Sequence, residues 1–160
     1  ADNAISVGGV ADCTVCGVGT VPNLARDACE ECEAGKVSPG GVPSCSPCLA
    51  GTAPDSLKSE CIACDDNEVS PDGTTCVACS AGEEPDDPKA NCRTCPEGTF
   101  GDDEGSECEQ CAKGTYQPGS GETTCLTCGD NQYQDQAGQP GCKTTNAGFV
   151  SVGSPPTSQE

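Results

Sequence analysis

Apolar side chains, aromatic rings and cations are all scarce in this sequence. Its 160 residues include no His, Met or Trp, two Tyr, two Phe and 7 Lys+Arg, against 26 Asp+Glu, for a net charge of −19. Leu, Ile, Val and Phe together number 19 of 160, below the roughly 20% under which a highly charged chain is expected to stay unfolded. A conventional hydrophobic core is therefore excluded, and order has to come from another source.

The acidic charge also excludes two classes of partner. Nucleic acid and anionic membranes are held through clusters of Lys and Arg, and the sequence contains no such cluster. No stretch approaches the roughly 18 to 20 apolar residues that span a bilayer, and the first residues lack the basic and apolar regions of a signal peptide. We expect a mature or excised portion with no nucleic-acid binding and no membrane insertion in this segment.

Catalytic motifs are lacking as well. Without His, a GxSxG elbow or a Gly-rich phosphate loop, and with few apolar residues to perturb carboxylate pKa values, the sequence predicts no enzyme and no cofactor. Acidic clusters at 65–68, 86–87 and 102–104 leave a weak possibility of Ca²⁺ binding, since Ca²⁺ takes oxygen ligands. None matches an EF-hand loop, and we interpret them as a solvated acidic surface.

Cysteine is what the sequence has in abundance. Its 17 Cys exceed the roughly 10% that is typical of a disulfide scaffold, and such density belongs to an oxidising compartment outside the cytosol. We therefore predict an extracellular or cell-surface protein. Eight CxxC pairs follow one another at steps of 15 to 17 residues, at 13/16, 29/32, 45/48, 61/64, 76/79, 92/95, 108/111 and 125/128, and Cys142 stands alone.

Two further positions recur in every copy. Gly or Asn, the residues that most readily accept positive φ, stands three residues after the second Cys of each pair, which predicts a left-handed turn slot: Gly19, Gly35, Gly51, Asn67, Gly82, Gly98, Gly114 and Asn131. A mostly β-branched or aromatic residue follows two places later, with Glu84 as the exception: Val21, Val37, Ala53, Val69, Glu84, Phe100, Tyr116 and Tyr133. Turn-forming Pro, Gly, Asp and Ser come next. We predict a small disulfide-rich fold: an elongated rod of stacked hairpin repeats of about 16 residues, with short strands, little or no helix and a minimal hydrophobic core.

The same pattern extends towards both ends. Residues 1–12 fit a partial repeat without its leading Cys, 13–142 hold eight CxxC-containing repeats, and 143–160 form a Cys-free degenerate repeat with a Ser/Thr/Pro-rich tail. In that last repeat Thr145 replaces the expected Cys, while Gly148 and Val150 keep the two recurring positions. The segments 4–7 and 148–152 are the most β-prone in the chain, and neither end looks capped.

Two pairings of the cysteines are compatible with the spacing. One links i to i+16, as in Cys13–Cys29 with Cys16–Cys32, and leaves Cys142 free. The other, which we favour, leaves only Cys13 unpaired or intermolecular, and each loop of about a dozen residues contributes about 3 kcal/mol by chain entropy. Its bonds are Cys16–Cys29, Cys32–Cys45, Cys48–Cys61, Cys64–Cys76, Cys79–Cys92, Cys95–Cys108, Cys111–Cys125 and Cys128–Cys142.

Other chemistry of the pairs is weaker. Two CxxC motifs resemble a zinc or iron–sulfur ligand set, but the absence of His and the unbroken run of eight pairs favour disulfides. A thioredoxin-type motif would need a βαβ context, which the sequence lacks. No Asn has Ser or Thr two places on, so any glycan is O-linked. The candidates beside Pro are Ser38, Ser46, Ser70, Ser154 and Thr157.

Two consecutive segments resemble a known family. Residues 95–111 read CPEGTF…CEQC and residues 111–128 read CAKGTYQPG…CLTC. They resemble the ephrin-receptor-like cysteine-rich repeat, CPxGTY…GxxxCxxC, and are similar to tumour-necrosis-factor-receptor modules and to the CxxC-rich surface antigens of protists. The likeness extends over 13–142, although Asn67 and Asn131 replace the motif's Gly and only Cys95 is followed by Pro. It implies an extracellular rod of stacked units, which occurs in receptors, coats and filaments alike.

We therefore expect an extracellular structural protein: a disulfide-laddered rod of a cell-surface coat or filament, assembling head to tail through its terminal segments, with O-linked glycans as possible partners. The alternative is the ectodomain or stalk of a receptor or adhesion protein. Ligand-binding surfaces concentrate Tyr, Trp and Arg. The sequence has two Tyr and no Trp, which favours scaffolding.

Overall fold

Short antiparallel hairpins make up the described chain. A computed structural model describes residues 4–6 and 14–159, and within those ranges it contains strands of two to four residues and no helix. This confirms the predicted fold class of a disulfide-laddered repeat. The strands are β1 (Ala4–Ile5), β2 (Thr14–Val15), β3 (Thr20–Pro22), β4 (Cys29–Glu31), β5 (Lys36–Val37), β6 (Ser46–Pro47), β7 (Thr52–Pro54), β8 (Cys61–Ala63), β9 (Glu68–Val69), β10 (Val77–Ala78), β11 (Glu83–Pro85), β12 (Cys92–Thr94), β13 (Thr99–Phe100), β14 (Glu109–Gln110), β15 (Thr115–Tyr116), β16 (Leu126–Thr127), β17 (Gln132–Tyr133), β18 (Lys143–Thr144), β19 (Ser151–Gly153) and β20 (Pro156–Gln159).

Each repeat folds as one hairpin. We number the repeats as copies, from the second Cys of one pair to the first Cys of the next: copy 1 is 16–29, copy 2 is 32–45, copy 3 is 48–61, copy 4 is 64–76, copy 5 is 79–92, copy 6 is 95–108, copy 7 is 111–125, copy 8 is 128–142, and the Cys-free copy 9 is 145–159. The strand that ends a hairpin runs on into the two residues between the cysteines of a pair. In copy 2, for example, Lys36 pairs with Pro47 and Val37 with Ser46.

The chain divides into two compact units. Unit 1 comprises Ala1–Val77 and Asp87–Asn91, and unit 2 comprises Ala78–Asp86 and Cys92–Glu160. Unit 1 contains the hairpins β1–β2, β3–β4, β5–β6 and β7–β8, and unit 2 contains β11–β12, β13–β14, β15–β16, β17–β18 and β19–β20.

One sulfur of each disulfide lies in the core. The second Cys of every described pair is at most 6% exposed, whereas its bonded partner is half-buried or exposed. The apolar positions Val21, Val37, Ala53 and Val69 are buried in unit 1. Half-buried Phe100, Tyr116 and Tyr133 take that position in unit 2. Sulfur and one apolar side chain in most copies thus replace a conventional core.

Glu84 holds the apolar position of copy 5 because its carboxylate is fully engaged. Its Oε1 lies 2.8 Å from Nη2 of Arg93 on the paired strand. Its Oε2 accepts a hydrogen bond of 2.8 Å from the N–H of Cys108. A partly buried carboxylate is tolerated when it is paired and hydrogen-bonded.

Candidate functional site

The disulfide ladder is the feature that organises every copy. Among the two pairings that the spacing allowed, the structure contains the sequential one, with Cα–Cα distances of 5.4 to 5.8 Å. Cys13 lies outside the described residues. Because a disulfide sulfur is not a thiolate, these cysteines are not ligands for zinc or iron. The bonds are Cys16–Cys29, Cys32–Cys45, Cys48–Cys61, Cys64–Cys76, Cys79–Cys92, Cys95–Cys108, Cys111–Cys125 and Cys128–Cys142.

Strand geometry explains why a CxxC pair does not close on itself. The two intervening residues lie in a strand, as Glu30 and Glu31 do in β4. An extended chain rises about 3.3 Å per residue, so the two Cα atoms of a pair stand about 10 Å apart. A disulfide needs less than about 7 Å. The two cysteines of a pair are therefore too far apart to bond to each other, and they belong to different disulfides.

Main-chain hydrogen bonds join adjacent copies. In copies 1, 3, 5, 6 and 7 the N–H of the turn slot donates to a carbonyl of the next copy, as from Gly19 to Ser38 (2.8 Å) in unit 1 and from Gly98 to Gln117 (2.7 Å) in unit 2. The N–H of Ser38 then donates onward to the carbonyl of Lys58 (2.8 Å). Since these bonds need no particular side chain, copies of different sequence keep one arrangement.

The turn slot also receives the turn of the copy two places along. A Cβ on Gly19 would lie within 3.0 Å of the carbonyl oxygen of Leu57, and one on Gly51 would meet that of Pro88 as closely. Glycine is thus required by backbone proximity as well as by φ. Positive φ is found at Gly19, Gly35, Gly51, Gly82, Gly98, Gly114 and Asn131, and Asn67 is not among them.

A second position of positive φ caps the buried cysteine of the preceding copy. In three copies a glycine N–H donates to the carbonyl of that cysteine: Gly41 to Cys16 (2.9 Å), Gly121 to Cys95 (2.8 Å) and Gly138 to Cys111 (2.8 Å). In copies 3 and 5 a lysine stands there, with φ of 52° at Lys58 and 68° at Lys89. Its ammonium makes the bond: Nζ of Lys58 lies 2.6 Å from the Cys32 carbonyl, and Nζ of Lys89 lies 2.9 Å from that of Cys64.

Sequence reasoning missed these lysines. The available signal was a double period, because Arg26 and Lys58 are 32 residues apart and Pro22 and Pro54 share that spacing. Arg26 has the same left-handed backbone, with φ of 57°. Copies 1, 3 and 5 therefore have a cationic residue where copies 2, 7 and 8 have glycine, and the alternation does not extend to copy 7.

Local hydrogen bonds hold several surface carboxylates in the ionised form. The hydroxyl of Ser59 lowers the pKa of Asp55, and that of Thr74 lowers the pKa of Asp72. Lysine donors act in the same way: the hydrogen bond from Lys36 lowers the pKa of Glu33, and the one from Lys143 lowers the pKa of Asp135 and raises that of Lys143. Asp55 is half-buried and the other three carboxylates are exposed, so together they form a largely solvated anionic surface.

One acidic cluster contacts a lysine of the next copy. Oδ1 of Asp66 lies 3.1 Å from Nζ of Lys89. In the part of the chain that the structure describes, no group of three or more His, Cys, Asp or Glu side chains is arranged to hold a metal ion. Ca²⁺ binding at 65–68, 86–87 or 102–104 stays a prediction without a built site.

Two of the five candidate glycosylation sites are corrected by burial. Ser38 and Ser70 have no exposed surface. Ser38 Oγ instead donates to the Thr20 carbonyl (2.9 Å) and accepts from the Gly40 N–H (3.2 Å), inside the repeat. A glycosyltransferase cannot reach either hydroxyl in the folded chain. Ser46 and Ser154 are exposed and Thr157 is half-buried, so the interpretation stays open for those three.

The terminal segments are paired within the chain, contrary to the expectation of uncapped ends. Ala4 and Ile5 are buried and pair with β2, and the Ser6 N–H donates to the Arg26 carbonyl (3.0 Å). At the other end, β19 pairs with β20.

Copy 9 is closed without a disulfide. The Asn146 N–H donates to Oε1 of Gln159 (2.7 Å), close to where other copies have their sulfur bond. Copy 9 also covers copy 8, because the Gln134 N–H donates to the Pro156 carbonyl (3.1 Å). The repeat thus continues past its last cysteine through hydrogen bonds alone.

An open groove of about 570 Å³ lies in unit 1, with Val21, Leu24, Glu31 and Lys36 among the residues that line it. Leu24 is fully exposed. Glu30 and Glu33 also line it, so acidic side chains border the groove.

Comparison with known proteins supports the resemblance over part of the chain. The comparison with curated proteins found no match. Within the described residues, no helix is long and apolar enough to cross a membrane. The family described as "Tyrosine-protein kinase ephrin type A/B receptor-like" matches residues 98–142, a shorter segment than the predicted 13–142. Residues 98–142 are thus similar to ephrin-receptor-like cysteine-rich sequence, and the sequential disulfides of this segment recur in the preceding copies.

Proposed function

We propose that this protein is a non-catalytic structural element of an extracellular coat or filament, which assembles head to tail. The observation that carries the proposal is the contact between copies, in which main-chain bonds such as Gly19 N–H to the Ser38 carbonyl (2.8 Å) do the joining. An interface of this kind can be repeated between molecules as it is within one, because the same main-chain bond recurs between several pairs of adjacent copies.

An extracellular location is supported by the disulfides and by the ephrin-receptor-like repeat. Disulfides persist in oxidising compartments and are rare in the cytosol. The net charge of −19 keeps molecules apart at low salt, so we expect association to rise as salt screens the charge.

A non-catalytic role is supported by the state of the carboxylates. Catalytic acids commonly have raised pKa values produced by burial. Here the hydrogen bonds at Asp55, Asp72 and Asp135 lower the pKa; Asp72 and Asp135 are exposed, and Asp55 is half-buried. O-linked glycans on Ser46 or Ser154 are a further part of the proposal, which mass spectrometry of the secreted protein would test.

Sedimentation of the oxidised full chain tests the assembly. At physiological and at about 1 M salt, we expect the mean mass to rise with protein concentration and with salt, and electron microscopy to show particles that lengthen in one direction. The same chain after reduction and alkylation is the control, because it loses the ladder. A monomer at every concentration and salt would contradict the proposal.

The second candidate is a receptor or adhesion ectodomain, favoured by the exposed leucines of unit 1. Leu24, Leu49 and Leu57 are 104%, 76% and 65% exposed. Contiguous exposed apolar surface marks interaction sites, so this candidate requires the three leucines to contact one partner together. If this reading is correct, labelled protein should bind cells as a monomer, and the triple change to Asp should abolish binding without altering the disulfides.

A further inference from the structure

Unit 1 has two grooves at equivalent places in the repeat. Groove A, of about 570 Å³, lies between copies 1 and 2, and groove B, of about 300 Å³, lies between copies 3 and 4. Because groove B lies in interior copies, the groove is a feature of the repeat itself. Equivalent lining residues are 31 or 32 places apart, so that Val21 corresponds to Ala53, Glu30 to Ile62 and Cys45 to Cys76.

Groove B is lined by apolar side chains and by two carboxylates. Ala53 and Pro54 line it from β7 and Ile62 from β8, and Ile62 is 49% exposed. Its charged lining residues are Asp65, which is exposed, and Glu68, which is half-buried. No Lys or Arg is found among its described lining residues. The groove therefore combines apolar surface with negative charge.

The carboxylates of groove B have no ion pair of their own. Nζ of Lys89 lies nearby, but it bonds the main-chain carbonyl of Asp65 (3.0 Å) and the carboxylate of Asp66 (3.1 Å). Within the described residues, the carboxylates of Asp65 and Glu68 have no cationic partner, and neither has that of Glu30 in groove A. A cation that enters either groove thus meets a carboxylate that is not already neutralised.

Copy 5 fills the equivalent place with its own side chains. Glu84 and Arg93 stand at the positions of Ala53 and Ile62, and they are paired across the strands in the same register. Nη2 of Arg93 lies 2.8 Å from Oε1 of Glu84, whose Oε2 accepts from the N–H of Cys108. The cysteine equivalent to Cys108 lines groove B. The repeat can therefore hold a guanidinium beside a carboxylate at this place.

We propose that groove B and its equivalent, groove A, bind a cationic segment of another protein, whose Arg side chain lies along the apolar lining with its charge at the carboxylates. Long cationic side chains bury their aliphatic stems on apolar surface and keep the charged end in polar surroundings. The cation comes from another molecule, because five of the seven Lys and Arg of this chain are in ion pairs: Lys36, Lys58, Lys89, Arg93 and Lys143. The inference adds a partner to the proposed structural role and does not depend on head-to-tail assembly.

A short amidated peptide of alternating Arg and Val is the probe for this binding. Isothermal titration calorimetry measures its uptake by the oxidised full chain. We expect two peptides per chain, one in each groove, and an affinity that falls as salt screens the charges. The same peptide with Glu in place of Arg should not bind. No uptake of the Arg peptide, or equal uptake of the Glu peptide, would overturn the inference and leave the proposed assembly standing.

Introducing the copy 5 pair into groove B locates the binding. Ala53→Glu with Ile62→Arg leaves the net charge unchanged, and copy 5 shows that the hairpin accepts this pair. Because the pair fills groove B, we expect the variant to bind one peptide per chain. Leu126→Arg with Thr127→Glu is the matched control, since it makes the same exchange of charge on exposed residues that line neither groove. It should bind two peptides, like the unchanged chain.

Removing the carboxylates separates charge from shape. Asp65→Asn with Glu68→Gln keeps the size of both side chains, and we expect the affinity of groove B to fall by about tenfold. Mass spectrometry of the disulfides checks that each variant is folded. An unchanged affinity here, uptake of two peptides by the chain with the copy 5 pair, or equal loss in the control would each overturn the inference. Self-association that the copy 5 pair abolishes, without uptake of the peptide, would assign groove B to a second copy of this chain instead.

Discussion

Unit 1 and unit 2 build the same ladder with different chemistry at three positions. Unit 1 fills its apolar position with Val21, Val37, Ala53 and Val69, and unit 2 uses rings such as Tyr116. Six residues after the second Cys, the buried polar side chain is Ser in unit 1 and Gln in unit 2: Ser38 and Ser70 against Gln117 and Gln134.

The capping bond differs as well. In unit 1, lysine side chains reach the carbonyls of Cys32 and Cys64, and the Gly41 N–H reaches that of Cys16. In unit 2, glycine N–H groups reach those of Cys95 and Cys111. What both units keep is the acceptor, a main-chain carbonyl at the buried cysteine. The repeat therefore conserves main-chain geometry and leaves the identity of the donor open.

Removing one disulfide from either unit should have the largest effect. We expect Cys48→Ser with Cys61→Ser, and Cys111→Ser with Cys125→Ser, each to lower the free energy of unfolding by about 3 kcal/mol, because both close loops of similar length. Denaturant unfolding, with the other disulfides checked by mass spectrometry, measures the loss. If the two losses in the free energy of unfolding differed by more than about 2 kcal/mol, the disulfides would not contribute equally to the stability of the two units.

Substitution by Ala at Gly51, where the slot is filled, and at Gly148, where no described atom lies near the Cβ position, gives a sharper comparison. Gly51 in unit 1 has φ of +80° and a carbonyl against it, whereas Gly148 in unit 2 has φ of +87° and open space. Gly51→Ala should cost about 2 to 4 kcal/mol, from strain and overlap together. Gly148→Ala should cost about 1 kcal/mol, from strain alone. Thermal unfolding of both variants would decide, and equal costs would contradict the close approach at Gly51.

The buried hydroxyls of unit 1 differ in their partners. Ser38 Oγ has two hydrogen bonds, while no described residue gives Ser70 Oγ a partner. Ser38→Ala should lower the free energy of unfolding by about 1 to 2 kcal/mol, and Ser70→Ala should leave it unchanged or raise it. Chemical denaturation of the two variants in parallel is the measurement. A larger loss at Ser70 would point to an undetected bond.

Replacing a capping lysine tests the difference in donors. Lys58→Met retains the chain length but loses the bond to the Cys32 carbonyl, which is 2.6 Å long. Because the side chain is 35% exposed, we expect a loss of only about 1 kcal/mol. The exposed Lys113 in unit 2 supplies the control Lys113→Met, which should not change the unfolding midpoint. Equal losses of stability in Lys58→Met and Lys113→Met would show that the bond to the Cys32 carbonyl does not stabilise the fold.

Acid should produce the smallest and most local effect. The pKa of Asp55 in unit 1 and that of Asp135 in unit 2 are lowered on folding, so their contribution is present above the pKa of the unfolded chain and is lost as pH falls through the folded value. The amide shift of Ser59 should follow this titration below the ordinary pKa of Asp. A midpoint at or above that value would show that the Ser59 hydrogen bonds do not form in solution.

Much of the fold could be read from the cysteine spacing. The positions of the CxxC pairs predict the period, the short strands and the ladder, because the chain has too little apolar material for any other core. The double period was not predicted, since it depends on which donor reaches the carbonyls of Cys32 and Cys64. The burial of Ser38 and Ser70 was missed for a related reason, because Ser beside Pro is typical of exposed turns.

What the turn slot holds could be predicted even less from the sequence. The position of a slot glycine indicated a turn residue, but only its neighbours in the structure reveal which segment lies against it. Those neighbours lie two copies along, at 38 residues' distance for Gly19 and Leu57. Local sequence carries no signal at that range.

The sequence by itself determined that sulfur would organise this protein, because its composition excludes an oily core and its cysteines recur at a fixed step. Tertiary structure alone decided how neighbouring copies meet. The reason is physical: disulfides are specified by the residues that form them, whereas main-chain donors and carbonyls are present at nearly every position and become selective only when the hairpins stack.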